Sequence, residues 1–150
     1  MERSHGAWPC RAGCDACCRS LGAIPSVTEA ELELLWPAIH TLPDAQEILD
    51  RIERLSPLPP IVCPLLDRDT GQCRVYEARP IACRTYGFYG GRDGDYWCDR
   101  VTQHLEGRRD TLIAGNQVAV DRERDQRLGP SIDLVTAVRR RRRTGRFTDV

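Results

Sequence analysis

The sequence predicts a mainly α-helical protein with a short β-hairpin, a small and irregular α+β domain stapled by metal. Three observations lead there. Apolar residues recur at helical spacing between Leu32 and Leu55 and again toward the end of the chain. Eight cysteines stand in 150 residues, four of them between Cys10 and Cys18. Large apolar side chains are few, with two Phe and one Met against ten Pro and twelve Gly. Little transfer free energy is then available to offset chain entropy, and metal–ligand bonds would fill the deficit.

At this length the chain reads as a single domain over residues 1–150. Residues 1–100 form a cysteine-cluster metal-binding region and residues 101–150 a helical extension with an arginine-rich tail. The first 25 residues read as irregular, because Pro9, Gly13, Gly22 and Pro25 break any period. A loop suits thiolate ligands, since several side chains must converge on one point. Ser26 or Thr28 then caps a helix. Ser26-x-x-Glu29 and Thr28-x-x-Glu31 both match the capping box. Leu32, Leu35, Trp36 and Ile39 follow at helical spacing. Pro43 and Asp44 open a second helix with Ile48, Ile52 and Leu55 on its apolar face. The corner at Leu42-Pro43 makes the two a helical hairpin.

Ser56-Pro57-Leu58-Pro59-Pro60 reads as an extended linker, because proline disfavours helix in its predecessor. Two short apolar runs, at residues 61–66 and 72–76, flank a turn containing Gly71 and read as a β-hairpin. Cys63 and Cys73 would lie on its neighbouring strands. Residues 77–84 form a turn or short helix carrying Cys83, and residues 87–94 a glycine-rich, aromatic loop. A helix is expected over residues 99–114, and a charged, solvent-facing one over residues 117–128. Gly129-Pro130 stops it, and Ser131 caps a last helix with Ile132, Leu134, Val135 and Val138. The run Arg139, Arg140, Arg141, Arg142 and Arg143, with Arg146, reads as a solvated, frayed helix end. No internal repeat is visible.

The net charge is zero, so no global field attracts nucleic acid, and no reading motif for it is present. All 22 basic residues are arginine. The absence of lysine excludes a Schiff-base or lysine general-base mechanism. No apolar stretch is long enough to span a membrane. Met1-Glu2-Arg3-Ser4-His5 leads into no apolar segment of a secretory signal, which points to the cytoplasm. Structural disulfides are not expected in that reducing compartment, so the cysteines read as metal ligands or redox groups.

Thiolate sulfur is a soft ligand that favours zinc, copper(I) or iron–sulfur clusters. The candidate ligands are Cys10, Cys14, Cys17, Cys18, Cys63, Cys73, Cys83 and Cys98. A zinc ion or a cluster takes about four such ligands. By count, eight thiols fit two sites, one cluster plus four other cysteines, or a bridged polynuclear site. The sequence leaves that partition open. Cys10-x3-Cys14-x2-Cys17 also has the cysteine spacing of radical-SAM enzymes. The chain is too short for their barrel, shows no alternating βα pattern, and has Ala16 where that family usually has an aromatic.

The downstream half carries a more extensive pattern. It reads Cys63-Pro64-Leu65-Leu66, then Gly71-Gln72-Cys73-Arg74-Val75-Tyr76, then Arg79-Pro80-Ile81-Ala82-Cys83-Arg84. With Cys14-x2-Cys17-Cys18 upstream, the chain resembles the YkgJ-type cysteine-cluster proteins, a zinc- or iron-chelating family named for a CxxCxxCC motif. Three residues separate Cys10 from Cys14 where that name implies two, and Gly13 is suited to absorb the extra one. The resemblance covers residues 8–100 and implies metal binding, with iron–sulfur and oxidoreductase labels common in the family. A similar domain occurs in flagellin lysine methylases.

Arg79 and Arg84 flank Cys83. They suit neutralising a thiolate-rich cofactor site or binding an anionic substrate; the structural alternative is an ion pair with Glu77, Asp67 or Asp69. Tyr76 reads as a hairpin core residue. Tyr86, Phe88, Tyr89, Tyr96 and Trp97 would either shield a cluster or simply pack. Of the three histidines, only His5 lies near a cysteine in sequence; His40 and His104 read as ordinary surface or packed residues. Asp15 suits a turn better than a metal. The leading expectation is a cytoplasmic iron–sulfur protein, with a 4Fe–4S cluster ahead of zinc. It would act in redox or metal-dependent modification of a protein or small-molecule partner. The alternatives are a zinc-stabilised binding module without catalysis and a metal-delivery protein.

Overall fold

A computed structural model describes residues 8–90, 98–105 and 115–147. The expected small α+β domain is what it shows. Its apolar core lies between three helices: α2 (Glu29–His40), α3 (Ala45–Glu53) and α7 (Leu134–Thr144). Leu32, Leu35 and Ile39 of α2 face Ile48, Leu49 and Ile52 of α3, and Val135 and Val138 of α7 close the third side.

Helix α2 starts on Thr28. Its hydroxyl accepts the Glu31 amide proton at 3.3 Å, and the Glu31 carboxylate accepts the Thr28 amide proton at 2.8 Å. That is the reciprocal capping box the sequence suggested. Ser26 does not cap. With Val27 it forms a two-residue strand, β1 (Ser26–Val27), antiparallel to β6 (Ile132–Asp133), where Ser26 lies opposite Asp133. The expected cap of α7 also moves. Asp133, not Ser131, accepts the Thr136 amide proton at 2.9 Å, because the chain leaves β6 extended at that residue. Asp44 precedes α3 but makes no cap; its carboxylate takes both arms of Arg74, at 2.7 and 2.6 Å.

The cysteine-bearing half is built from short pieces. Helix α1 (Ala16–Arg19) lies in the stretch that reads as irregular. The hairpin is present but brief, β2 (Leu66–Asp67) against β3 (Gln72–Cys73). Cys73 is on a strand, whereas Cys63 stands in the turn before β2, where its carbonyl accepts from the Leu66 amide. A 3-10 turn at Tyr76–Ala78 leads into α4 (Ile81–Thr85) with Cys83 at its centre. Strand β4 (Tyr89–Gly90) runs parallel to β5 (Gly115–Asn116). Helix α5 (Asp99–Leu105) is the start of the helix expected at 99–114; the rest lies outside the described residues, as do His5, Tyr96 and Trp97.

Two readings of the C-terminal region change. Helix α6 (Gln117–Leu128) is not wholly solvent-facing, since Arg124 is 5% exposed. It donates to Ser131 Oγ at 2.7 Å and Ser26 Oγ at 3.2 Å, and pairs with Asp125 at 2.8 Å. The arginine run is not a frayed end either. Arg142 pairs with Asp50 at 2.7 Å, Arg141 with Glu33, and Arg139 donates to the Glu53 carbonyl. The acidic partners come from α2 and α3, about a hundred residues earlier in sequence. Among the described residues no helix is long and apolar enough to cross a membrane.

Arg124→Ala removes hydrogen bonds to a charged group from a buried position, and should cost about 2 kcal/mol. Arg127→Ala breaks only an exposed pair with Glu123 and should change stability by less than about 0.5 kcal/mol. Urea unfolding midpoints of the two variants give the comparison.

Candidate metal centre

All eight cysteines are free thiols, and each is half-buried. Several short-range devices bring them together. Cys14 closes a turn by donating its amide proton to the Arg11 carbonyl at 2.9 Å, and Gly13 takes a φ of 85° within it. That left-handed residue absorbs the extra position between Cys10 and Cys14. Helix α1 then presents Cys17 and Cys18 with their sulfurs 4.0 Å apart. Asp15 ion-pairs with Arg19, which also reaches the Arg68 carbonyl at 3.0 Å and ties α1 to the hairpin turn. Gly71, with a φ of 69°, lets that turn close: a Cβ there would stand 3.2 Å from the Asp15 carboxylate.

The downstream thiols reach the same region by backbone bonds. The Cys63 amide donates to the Cys18 carbonyl at 2.8 Å. Cys73 faces Leu66 across the hairpin. Cys83 rides on α4, whose first amide, at Ile81, donates to the buried Glu31 carboxylate at 2.6 Å. The Cys10 thiol donates to the Tyr86 carbonyl at 3.6 Å, and Cys14 sulfur accepts from Arg100 at 3.6 Å. Cys17 and Cys98 line a cavity of about 370 Å³ with Tyr86 and Arg100.

Crowding and burial oppose ionisation. Burial, then the neighbouring Cys18, Cys73 and Cys17, push the Cys83 thiol up to about 12. At Cys18 the hydrogen bond from Cys17 pulls downward, but the bond to Cys63 and burial outweigh it, and that thiol also rises to about 12. Cys17 is raised by its bond to Cys18 and by burial, and Cys10 and Cys73 chiefly by burial. Arg79 acts the other way on Cys10, Cys73 and Cys83.

The two arginines beside Cys83 therefore part company. Arg79 lays its guanidinium 3.4 Å from the Tyr76 ring centroid and donates to the Tyr76 carbonyl at 2.9 Å. Tyr76 is thus a platform for that cation rather than a hairpin core residue. Arg84 donates to the Arg79 carbonyl at 2.8 Å and to the Glu77 carbonyl, bracing the 3-10 turn. Among the described ion pairs neither arginine meets Glu77, Asp67 or Asp69. His40 packs on Trp36 and His104 edge-on to Trp8, which also stacks on Phe88. Sequence reading missed Arg100. It lies two residues beyond Cys98 with nothing in the sequence to set it apart from the other arginines.

Among the described residues no three donor side chains stand close enough to hold an ion without moving. The donor set nevertheless fits a thiophilic metal. The 4.0 Å between Cys17 and Cys18 sulfurs is near the ~3.8 Å edge of a zinc–thiolate tetrahedron. The CxxCxxCC family, described as "Putative zinc- or iron-chelating domain", matches residues 9–106. The chain belongs to that family, and metal chelation, of zinc or iron, is the function that membership carries. No curated protein and no solved structure matches the chain significantly.

Cys17→Ser and Cys83→Ser should each lower bound metal, measured by elemental analysis; an unchanged content in either would separate that thiol from the site. Ligating thiols must give up protons, so zinc added to reduced protein should release protons into weak buffer. Its apparent affinity should rise with pH.

Proposed function

We propose that this member of the CxxCxxCC family carries an iron–sulfur cluster, 4Fe–4S ahead of zinc, on its cysteine thiols. It would use the cluster in redox or metal-dependent modification of a partner. The observation that carries the reading is the cationic, partly open surround of the thiols. The Arg79 charge favours the thiolates of Cys10, Cys73 and Cys83, Arg100 donates to Cys14 sulfur, and Cys17 and Cys98 line an open cavity. Four thiolates around a divalent ion leave a net charge of about −2, which these guanidinium groups offset. Hydrogen bonds to sulfur, net charge and solvent access are the levers that set a cluster's potential. When bound, a cluster supplies one-electron transfer. The chain's own residues hold it, balance its charge and admit a small molecule or a protein side chain through the cavity. A reducing compartment such as the cytoplasm suits eight free thiols.

A second reading is favoured by the close Cys17–Cys18 sulfur spacing, which fits a zinc tetrahedron. The protein is then a zinc-stabilised binding module, or a metal-delivery protein if the ions exchange.

Anaerobic purification followed by an absorption spectrum and elemental analysis separates the two. The expected result is brown protein that bleaches in air and contains iron and sulfide. Colourless protein with about two zinc ions per chain, one for each set of four thiols, would sink the iron reading.

A further inference from the structure

A second cavity, of about 520 Å³, has no cysteine in its lining. Its walls are Arg51 of α3, Leu66 and Asp67 of β2, Arg68 of the hairpin turn, and Arg74 just after β3. Three guanidinium groups from three segments thus converge on one space. Local bonds hold the walls in place. Arg51 donates one terminal nitrogen to the Pro64 carbonyl at 2.9 Å, which ties α3 to the chain entering the hairpin. The Arg74 amide donates to the Leu65 carbonyl at 2.9 Å, and its two terminal nitrogens go to Asp44. The Arg68 carbonyl accepts from Arg19 at 3.0 Å, which holds its backbone while its side chain makes no hydrogen bond or ion pair among the described residues. The lining carboxylate does not answer these cations. Asp67 Oδ1 accepts the Asp69 and Thr70 amide protons at 3.0 and 3.2 Å, and among the described ion pairs Asp67 meets none of the three arginines. Asp44 bonds to Arg74 alone, and Glu47, one turn before Arg51 on α3, is exposed and outside the lining. What marks the site is therefore unused donors rather than net charge. The rest of the half-buried Arg51 guanidinium and the whole Arg68 fork have no acceptor among the described residues.

We propose that this cavity binds a small molecule carrying two oxyanion groups, phosphate or carboxylate, in the guanidinium forks of Arg51 and Arg68, with Arg74 as a third charge. A planar fork matches either oxyanion with two parallel hydrogen bonds. The volume lies within the range of small-molecule sites, roughly 300–1,000 Å³, and is larger than one oxyanion needs. Leu66 is the one apolar residue of the lining, so charge-assisted hydrogen bonds rather than apolar burial supply the binding. No thiol lines the cavity, so the ligand is held apart from any metal on the cysteines, and the site stands whichever metal those bind.

A hexose bisphosphate and succinate are the probes, titrated into the full-length chain by calorimetry. Their hard oxygen donors compete poorly with thiolates for a soft metal. At least one should bind, and more weakly as salt is raised. Tighter binding of the bisphosphate assigns a phosphate ligand, and tighter binding of succinate a carboxylate one; either result supports the site. Arg68→Ala removes a side chain that holds nothing else in the described structure, so its circular dichroism should be unchanged and its affinity lower by about tenfold or more. Arg51→Lys keeps the charge, loses the fork and should weaken binding as well. Arg127→Ala removes an exposed arginine outside the cavity and should leave the affinity as it was. Binding of neither probe by the folded chain overturns the proposal. So does binding that survives both cavity substitutions, or a loss as large in Arg127→Ala as in Arg68→Ala.

Discussion

Thiols cannot be gathered without electrostatic consequence. Around the Cys17–Cys18 peptide each sulfur that ionises makes the next harder to ionise, and partial burial adds to the cost. A cation among them attracts every thiolate and so offsets those costs. The local architecture serves this constraint. The left-handed turn at Gly13, the close approach at Gly71 and the Cys63 bond to Cys18 all shorten distances between sulfurs over a few residues. None of them needs an apolar core, and this half of the molecule is sparing with one.

The other half provides a frame. Helices α2, α3 and α7 bury aliphatic side chains against one another in the ordinary way. The joint between frame and thiols is the Glu31 carboxylate. One oxygen completes the capping box with Thr28, and the other accepts the Ile81 amide at the start of the helix that bears Cys83. A residue that local sequence places at a helix start thus also fixes a distant thiol.

Arginine does much of the long-range tying. A guanidinium offers several donors in a rigid fork, so one side chain can bond to two partners at once. Arg74 grips both oxygens of Asp44, Arg124 joins α6 to Ser26 and Ser131, and Arg142 meets Asp50 and Glu53. Lysine, a point charge on a flexible stem, would not reproduce these geometries. The composition bias toward arginine therefore has structural use here, whatever its origin.

Periodicity and capping chemistry are local, so the helices at Glu29–His40, Ala45–Glu53, Gln117–Leu128 and Leu134–Thr144 were legible in the sequence, as were the hairpin turn and the family motif. Cysteine content alone pointed to metal, because soft donors in such density suit few other roles. Tertiary structure decided what depends on partners far apart in the chain. Ser26 and Ser131 were lost as caps because β1 and β6 pair and Arg124 uses both hydroxyls. The arginine run became an anchor because α7 lies along acidic faces of α2 and α3. Arg79 and Arg84 look equivalent beside Cys83, yet only the fold lays the Arg79 guanidinium over the Tyr76 ring and sends Arg84 to the Arg79 and Glu77 carbonyls. The grouping of the thiols is of the same kind: spacing along a chain fixes which cysteines are close in sequence, and only packing fixes which sulfurs share a space.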